Sequence, residues 1–246
     1  MNSISPNLNM MIKACEKASK GLIRDFGEIE KLQVSIKGPS DFVSNADTKA
    51  EKIIIDELTK TKKNFSIISE EDGSKLNKDR ENFWVIDPID GTSNFLHGVP
   101  HFAISIALKS QNEIISGLIY DPIKDEMFYA EKNSGAFFNN KRIRVSKKKD
   151  LNSCLFATGG KEDNKVNLTT RKTGSAALDM AYVAAGRFDG YFQNGLNLWD
   201  IAAGLIIVKE AGGLINEIDL TKNDKINIRA SSSTINEKML DKLENF

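Results

Sequence analysis

The sequence is poor in the residues on which several kinds of protein depend. It has two cysteines in 246 residues, Cys15 and Cys154. They lie far apart and in no metal-ligand spacing, which argues against a disulfide framework and for reduced thiols in the cytoplasm. Apolar runs fall far short of the ~20 residues that a membrane span requires. Residues 1–9 contain no basic stretch leading into an apolar one, so no export signal is expected. Thirty-four basic and thirty-four acidic residues cancel. No net field therefore points to nucleic acid or an anionic membrane, although a balanced total is compatible with a local basic patch. No cysteine, histidine or serine carries a nucleophile signature. The two histidines, His97 and His101, read as structural or substrate-proximal groups rather than as a general base. A soluble, cytoplasmic protein is the expectation.

What the chain does have is ordinary globular material: 40% hydrophobic and 28% charged residues, enough for one large domain or two moderate lobes. Ser5-Pro6 resembles a helix start, and Leu8, Met11, Ile12, Cys15, Leu22, Ile23 and Phe26 recur at helical spacing up to Gly27. Cys15 then reads as a small buried hydrophobe. A polar loop over 37–45 leads to a second helix expected near Asp47, where Thr48 and Glu51 have capping-box spacing. Short strands are expected at 65–68 and 83–86. Hairpins are expected at 101–108 with 113–120, and at 137–138 with 143–145 around Asn139-Asn140. Lys147-Lys148-Lys149 reads as a solvated connection. Beyond it the pattern predicts a strand at 155–157, a helix over 175–185 closed by Gly186, a strand at 190–192, a helix over 200–211 and a final helix in the last ten residues. Strands cluster in the first part and alternate with helices in the second, which suggests a layered α+β sandwich of two lobes, 1–147 and 148–246.

The chemistry collects at the ends of these elements. In Trp84-Val-Ile-Asp87-Pro-Ile-Asp90-Gly-Thr92-Ser-Asn94-Phe95, an apolar strand delivers Asp87 to its carboxyl end, and Pro88 is expected to stop the ladder. Asp87 and Asp90 then share a tight turn, where two carboxylates repel unless a hard divalent cation lies between them. Gly91-Thr92-Ser93 can open a helix and offer backbone N–H groups to an anion. An acidic turn with ordinary N-cap chemistry would also explain Asp-x-x-Asp-Gly-Thr taken alone. Other acids have plain explanations too: solvation for Glu70-Glu71, and a helix start for Asp200 and for Asp47. Their weight comes from occurring together.

Together they resemble the inositol monophosphatase family. Ser69-Glu70-Glu71, the Trp84–Phe95 segment, and Trp199-Asp200-Ile-Ala-Ala followed by Glu210-Ala-Gly-Gly213 match it in order and spacing. Asn45-Ala-Asp47, Gly135-Ala-Phe-Phe-Asn-Asn140 and Gly174-Ser-Ala-Ala177 match as well. The stretch from His97 to Ala107 is similar to bacterial inositol-1-monophosphatases. The resemblance spans almost the whole chain. It implies an α-β-α-β-α layered fold of the inositol monophosphatase and fructose-1,6-bisphosphatase type, magnesium dependence, lithium sensitivity and a homodimer. By the same resemblance, Glu70, Asp87 and the Ile89 carbonyl would hold a first magnesium. Asp87, Asp90 and Asp200 would hold a second, with a third, weaker ion leaning on Glu70 through water. Asp47 and Thr92 would orient the attacking water, with Glu70 also counted as catalytic. Gly91 and Thr92 would cradle the phosphate, and Asp90, Gly174, Ser175, Ala176, Gln193 and Asp200 would face the alcohol.

Two departures qualify that picture. Gln193 stands where many members carry glutamate, so it keeps an acceptor and gains a donor but loses the charge, which puts an inositol preference in doubt. Between Gly159 and Arg171 about a dozen mostly polar residues replace a full helix. The implied activity is hydrolysis of inositol-1-phosphate to inositol and phosphate. Fructose-1,6-bisphosphate, histidinol phosphate or a 3′-phosphoadenosine nucleotide are alternative substrates, and a phosphatase-like regulatory binding protein is the non-enzymatic alternative.

Overall fold

The computed structural model describes residues 4–32, 39–159, 168–222 and 224–243, with side chains for all of these except 30–32 and 39–44. The outermost layer is a helix pair, α1 (Pro6–Leu32) and α2 (Pro39–Thr59). Leu8, Met11, Cys15 and Leu22 line one side of α1 and are buried, as an amphipathic surface helix requires. The helix does not stop at Gly27. Phe26 and Ile29 both pack into the core beside it, which offsets the ~1 kcal/mol that an internal glycine costs. Nor does α2 wait for Asp47: it begins at Pro39, where the missing N–H needs no partner. Thr48 and Glu51 therefore lie inside the helix rather than at its cap.

Beneath this pair is an eight-stranded sheet in the order β2-β1-β3-β4-β5-β6-β7-β8. Its strands are β1 (Ser66–Ser69), β2 (Gly73–Lys75), β3 (Asn82–Asp90), β4 (Ala103–Ser110), β5 (Glu113–Asp121), β6 (Glu126–Glu131), β7 (Gly135–Phe138) and β8 (Lys141–Arg142). Only β1 and β3 run parallel; the other pairs are antiparallel. The first expected hairpin forms as β4–β5; the second turns at Asn139-Asn140 as expected, but its return strand lies at 141–142 rather than 143–145. In the second, Asn139 and Asn140 take left-handed conformations, φ 43° and 65°, which asparagine tolerates. The return strand there ends after two residues, because the Val145 N–H turns away to the Ala211 carbonyl. The sequence reading did not anticipate β2, a three-residue strand with Ser74 and Lys75 exposed, or β6, whose centre Phe128-Tyr129-Ala130 is buried between polar ends.

Alternation in β4 shows how the sheet serves two layers. Ile104, Ile106 and Leu108 face the α1–α2 side, while the small Ala103 and Ala107 face the opposite core. That second core holds α4 (Ala176–Ala184) and α5 (Leu198–Glu210). Every residue of α5 from Ile201 to Val208 is buried, since a second sheet covers its far side and a helix between two sheets needs no polar face. The second sheet has the order β10-β9-β11-β13-β12. Its strands are β9 (Phe156–Thr158), β10 (Thr170–Arg171), β11 (Gly190–Leu196), β12 (Gly213–Ile215) and β13 (Ile226–Ser232). A short α6 (Asn236–Lys242) packs outside it through Met239, against Phe156 and Phe192. The layers thus run helices, sheet, helices, sheet, helix, the α-β-α-β-α sandwich that the family resemblance implies. The shortened segment falls mostly on residues 160–167, outside those described. Lys148 is not merely solvated: its Nζ donates to buried Asp189 and to the Ser153 carbonyl.

Candidate active site

The parallel pair β1–β3 brings the first acids together. Ser69 is in register with Ile86, so the next residues, Glu70 and Asp87, leave adjacent strands side by side. Their carboxyl groups are close enough to interact directly. The turn after β1 is held from α2, where the buried Glu51 carboxylate accepts from the N–H groups of Glu71 (3.1 Å) and Asp72 (2.9 Å).

Pro88 does not end β3. The strand continues to Asp90 across an irregularity: Asp87 pairs with Ser105 and Asp90 with Ala103, three steps on β3 against two on β4. A proline without an N–H fits such a bulge. The extra residue also has a consequence for the acids. Three steps along a regular strand would place them on opposite faces, whereas the bulge turns both toward the inner helices. The expected tight turn is therefore a bulge.

Asp90 lies against the amino end of α4. Its Oδ2 accepts from the Ser175 hydroxyl and the Ala177 N–H (2.9 Å), and its Oδ1 from the Ala176 N–H (3.2 Å). Asp200, the third residue of α5, accepts from the Asn197 N–H at 2.7 Å and so helps to close that helix's first turn. Gly91 begins the five-residue α3 (Thr92–Leu96) at φ 98°. A side chain there would be strained and would meet the His101 carbonyl and Phe102 at 3.1–3.3 Å. Phe95 anchors α3 from below, packing edge-on to Phe102 at 4.9 Å and to Phe26 at 5.6 Å.

Electrostatics set this group apart. Burial pushes the Asp87 carboxyl well above the usual range, and Asp90, Glu70 and Asp200 push it further. Burial raises Asp90 to about 7 against the lowering effect of its Ser175, Ala176 and Ala177 bonds. Asp47 is pushed up to about 8, first by burial and then by Glu71, Glu70 and Glu51. Glu70 and Asp200 are also raised, chiefly by burial. Asp47 Oδ1 is buried and has no hydrogen-bond partner among the described residues. The donor chemistry is that of a hard divalent cation: carboxylate oxygens in mutual repulsion, those of Asp47, Asp87 and Asp90 buried. The Ile89 carbonyl lies between the two aspartates and accepts from the Thr92 hydroxyl at 2.9 Å, which leaves it a second lone pair. Among the described residues, no three His, Cys, Asp or Glu side chains are already gathered around one point as metal ligands. Asp90 and Asp200 instead lean on the starts of α4 and α5.

The expected substrate residues divide. Ser175 and Ala176 meet the acids directly through Asp90, and Gly174 precedes them with φ 86°. Gln193 lies on β11, where its Oε1 accepts from the Tyr191 hydroxyl at 2.7 Å. Thr92 donates to Ile89, so its hydroxyl is engaged with the bulge. Of the histidines, His97 turns back to its own helix, its Nδ1 bonded to the Ser93 carbonyl at 2.8 Å. His101 has its pKa lowered to about 4, first by burial and then by Lys124, so it is neutral at physiological pH. Sequence reasoning missed Glu51, Asn94, Thr173, Asp179 and Tyr191. A signal existed for Asp179: it is the one charged residue in the apolar run of α4.

Comparison with known proteins agrees with this architecture. The profile of the inositol monophosphatase family matches residues 4–245. The inositol-1-monophosphatase of Mesorhizobium japonicum is 47% identical over 227 residues, 86% of this chain and 85% of that protein. The Nus factor SuhB of Escherichia coli K12 is 41% identical over 227 residues, with 86% and 85% covered. The crystal structure of the extragenic suppressor protein SuhB from Bartonella henselae superposes with a TM-score of 0.87 at 44% identity, covering 98% of this chain and 99% of that one. The chain belongs to the inositol monophosphatase family. That is a family of phosphatases, hydrolases of phosphate esters, whose members are generally metal-dependent.

Proposed function

We propose that this protein hydrolyses a small phosphate monoester with magnesium as its cofactor, inositol-1-phosphate being the substrate that the likeness to inositol-1-monophosphatases favours. The observation that carries the reading is the convergence of Glu70, Asp87, Asp90 and Asp200, with Asp87 and Asp90 buried, Asp200 half-buried and Glu70 at the open edge, and with all four carboxyls raised. Glu70, Asp87 and the Ile89 carbonyl would hold one ion, Asp87, Asp90 and Asp200 a second, with a third, weaker one near Glu70. Bound there, magnesium supplies positive charge to the phosphoryl and leaving oxygens and makes a nearby water easier to deprotonate. The chain's own groups do the rest. Gly91 and Thr92 receive the phosphate at the start of α3. Ser175, Ala176 and Gln193 orient the alcohol, and Asp47, with Thr92, takes the proton of the attacking water.

A panel of esters assayed with magnesium and with excess chelator tests this. Phosphate release from inositol-1-phosphate should exceed that from fructose-1,6-bisphosphate, histidinol phosphate, a 3′-phosphoadenosine nucleotide and glycerol phosphate, and should vanish with chelator. Release from none of them rejects the reading; a different leading ester rejects only the inositol assignment. The family likeness further supports lithium inhibition, a homodimer, which light scattering checks, and a cytoplasmic setting. Among the described residues no helix is long and apolar enough to cross a membrane. The likeness to a Nus factor favours a second role, regulatory binding beside hydrolysis. A cell carrying only Asp87→Asn would keep such a role while losing hydrolysis.

A further inference from the structure

We infer that Asn94, Thr173 and Asp179 are positioning residues, a hydrogen-bond relay that fixes the amino end of α4 against Asp90. The inference rests on the phosphatase reading of Asp90. The relay begins on α3, where the Asn94 amide uses both of its N–H donors. One goes to the His101 carbonyl at 2.7 Å, the other to the Thr173 carbonyl at 2.8 Å. The first closes the loop after α3; the second reaches 79 residues along the chain to the turn that starts α4. Gly174 lets this turn come close: a Cβ there would lie 2.9 Å from Asn94 Nδ2.

From Thr173 the relay continues inward. Its hydroxyl donates to Asp179 Oδ1 at 2.7 Å and faces the Ser175 N–H at 3.4 Å. Asp179 is 1% exposed and belongs to the first turn of α4. Thr173 is thus held from both sides, by α3 through its carbonyl and by α4 through its hydroxyl. The next residues, Ser175, Ala176 and Ala177, supply all three donors to Asp90. Those donors have no freedom of their own, since two are backbone N–H groups whose place is the place of the helix end. A small displacement of that end would release Asp90, and catalytic geometry is sensitive on the ångström scale. None of the three relay residues need touch the substrate.

The test compares Thr173→Val, which keeps the shape but removes the hydroxyl, with Thr173→Ser, which restores it. Asp179→Asn keeps an acceptor for the hydroxyl. Thr173→Val should lower kcat on inositol-1-phosphate about tenfold, the value of one buried hydrogen bond, while KM moves by less than about threefold. Calorimetric titration with magnesium alone, without any ester, should show weaker binding by a similar factor. Thr173→Ser and Asp179→Asn should stay near wild type in both measurements. Wild-type kcat and magnesium affinity in Thr173→Val, or a Thr173→Ser variant as impaired as the valine, overturns the relay. Should Thr173→Val not fold, Asn94→Ala cuts the other end and carries the same expectations. A wild-type protein that releases no phosphate from any ester sinks the phosphatase reading, while the magnesium titration still decides the relay. One that also binds no magnesium overturns both.

Discussion

Two regions of this molecule bury aspartates equally deeply and treat them in opposite ways. Asp189 and Asp87 are each 1% exposed. Asp189 receives the Lys148 ammonium at 2.9 Å and the Leu155 N–H at 2.7 Å, and the fully buried Asp121 is likewise paired with Lys124. Asp87 has a backbone N–H from Ile89 and then only other acids: Glu70, Asp90 and Asp200. For Asp189 and Asp121 the fold supplies its own cation. Where the counter-charge is to come from outside, the acids are left in mutual repulsion. That contrast marks the functional end of the molecule better than burial or acidity alone.

The largest expected difference comes from exchanging charge for amide in the two regions. Asp87→Asn should lower kcat by roughly two to three orders of magnitude, as loss of a central electrostatic group does. The metal-free protein should melt at the same temperature or higher, since repulsion is relieved. Steady-state kinetics with a thermal melt checks both, and a wild-type kcat would remove Asp87 from the site. Lys148→Met should do the reverse: full activity, with stability lowered by about 1–3 kcal/mol, because Asp189 loses a partly exposed cation. A denaturant titration reads it, and an unchanged midpoint would mean that Lys148 does not compensate Asp189.

A weaker effect follows from pH. Asp90 is raised to about 7 and Asp47 to about 8, so above about pH 4 the folded protein holds protons that the unfolded chain has released. Their contribution is fully present at low pH and is lost as pH rises through 7 to 8. The melting temperature of chelator-treated protein should therefore fall between pH 5 and 8, and magnesium should flatten the decline. A rising profile without metal would contradict the contrast. The smallest effect concerns Gln193→Glu. Its Oε1 accepts from Tyr191, a bond that a carboxylate can keep while adding charge. The kcat/KM for inositol-1-phosphate relative to glycerol phosphate should shift about five- to tenfold. An unchanged ratio would make Gln193 a structural group.

Much of the site was legible because it lies on contiguous sequence. The segment from Trp84 to Phe95 carries strand, acids, glycine and helix start in order, and each has a local cause: apolar alternation, a proline, a positive φ at Gly91. The fold class followed from the order of strands and helices together with the family resemblance. Local pattern failed where packing overrode it. Gly27 does not end α1, because Phe26 and Ile29 bury against the sheet. Thr48 and Glu51 do not cap α2, because that helix starts at Pro39 and Glu51 turns to the Glu71 and Asp72 N–H groups.

What the sequence determined by itself was therefore the kind of residue at each station: acids at strand ends, glycine where a side chain would collide, apolar faces at helical and strand periods. These depend on a few neighbouring dihedrals and on transfer of side chains from water. What only the tertiary structure decided was which stations meet. Glu70 stands beside Asp87 because β1 and β3 are parallel and in register. Both aspartates face inward because the bulge carries one residue more than β4. Asn94 reaches Thr173 only because two layers, 79 residues apart in sequence, close on each other. Such contacts repay their loop-closure entropy only when the whole core forms, so no local stretch of sequence can specify them.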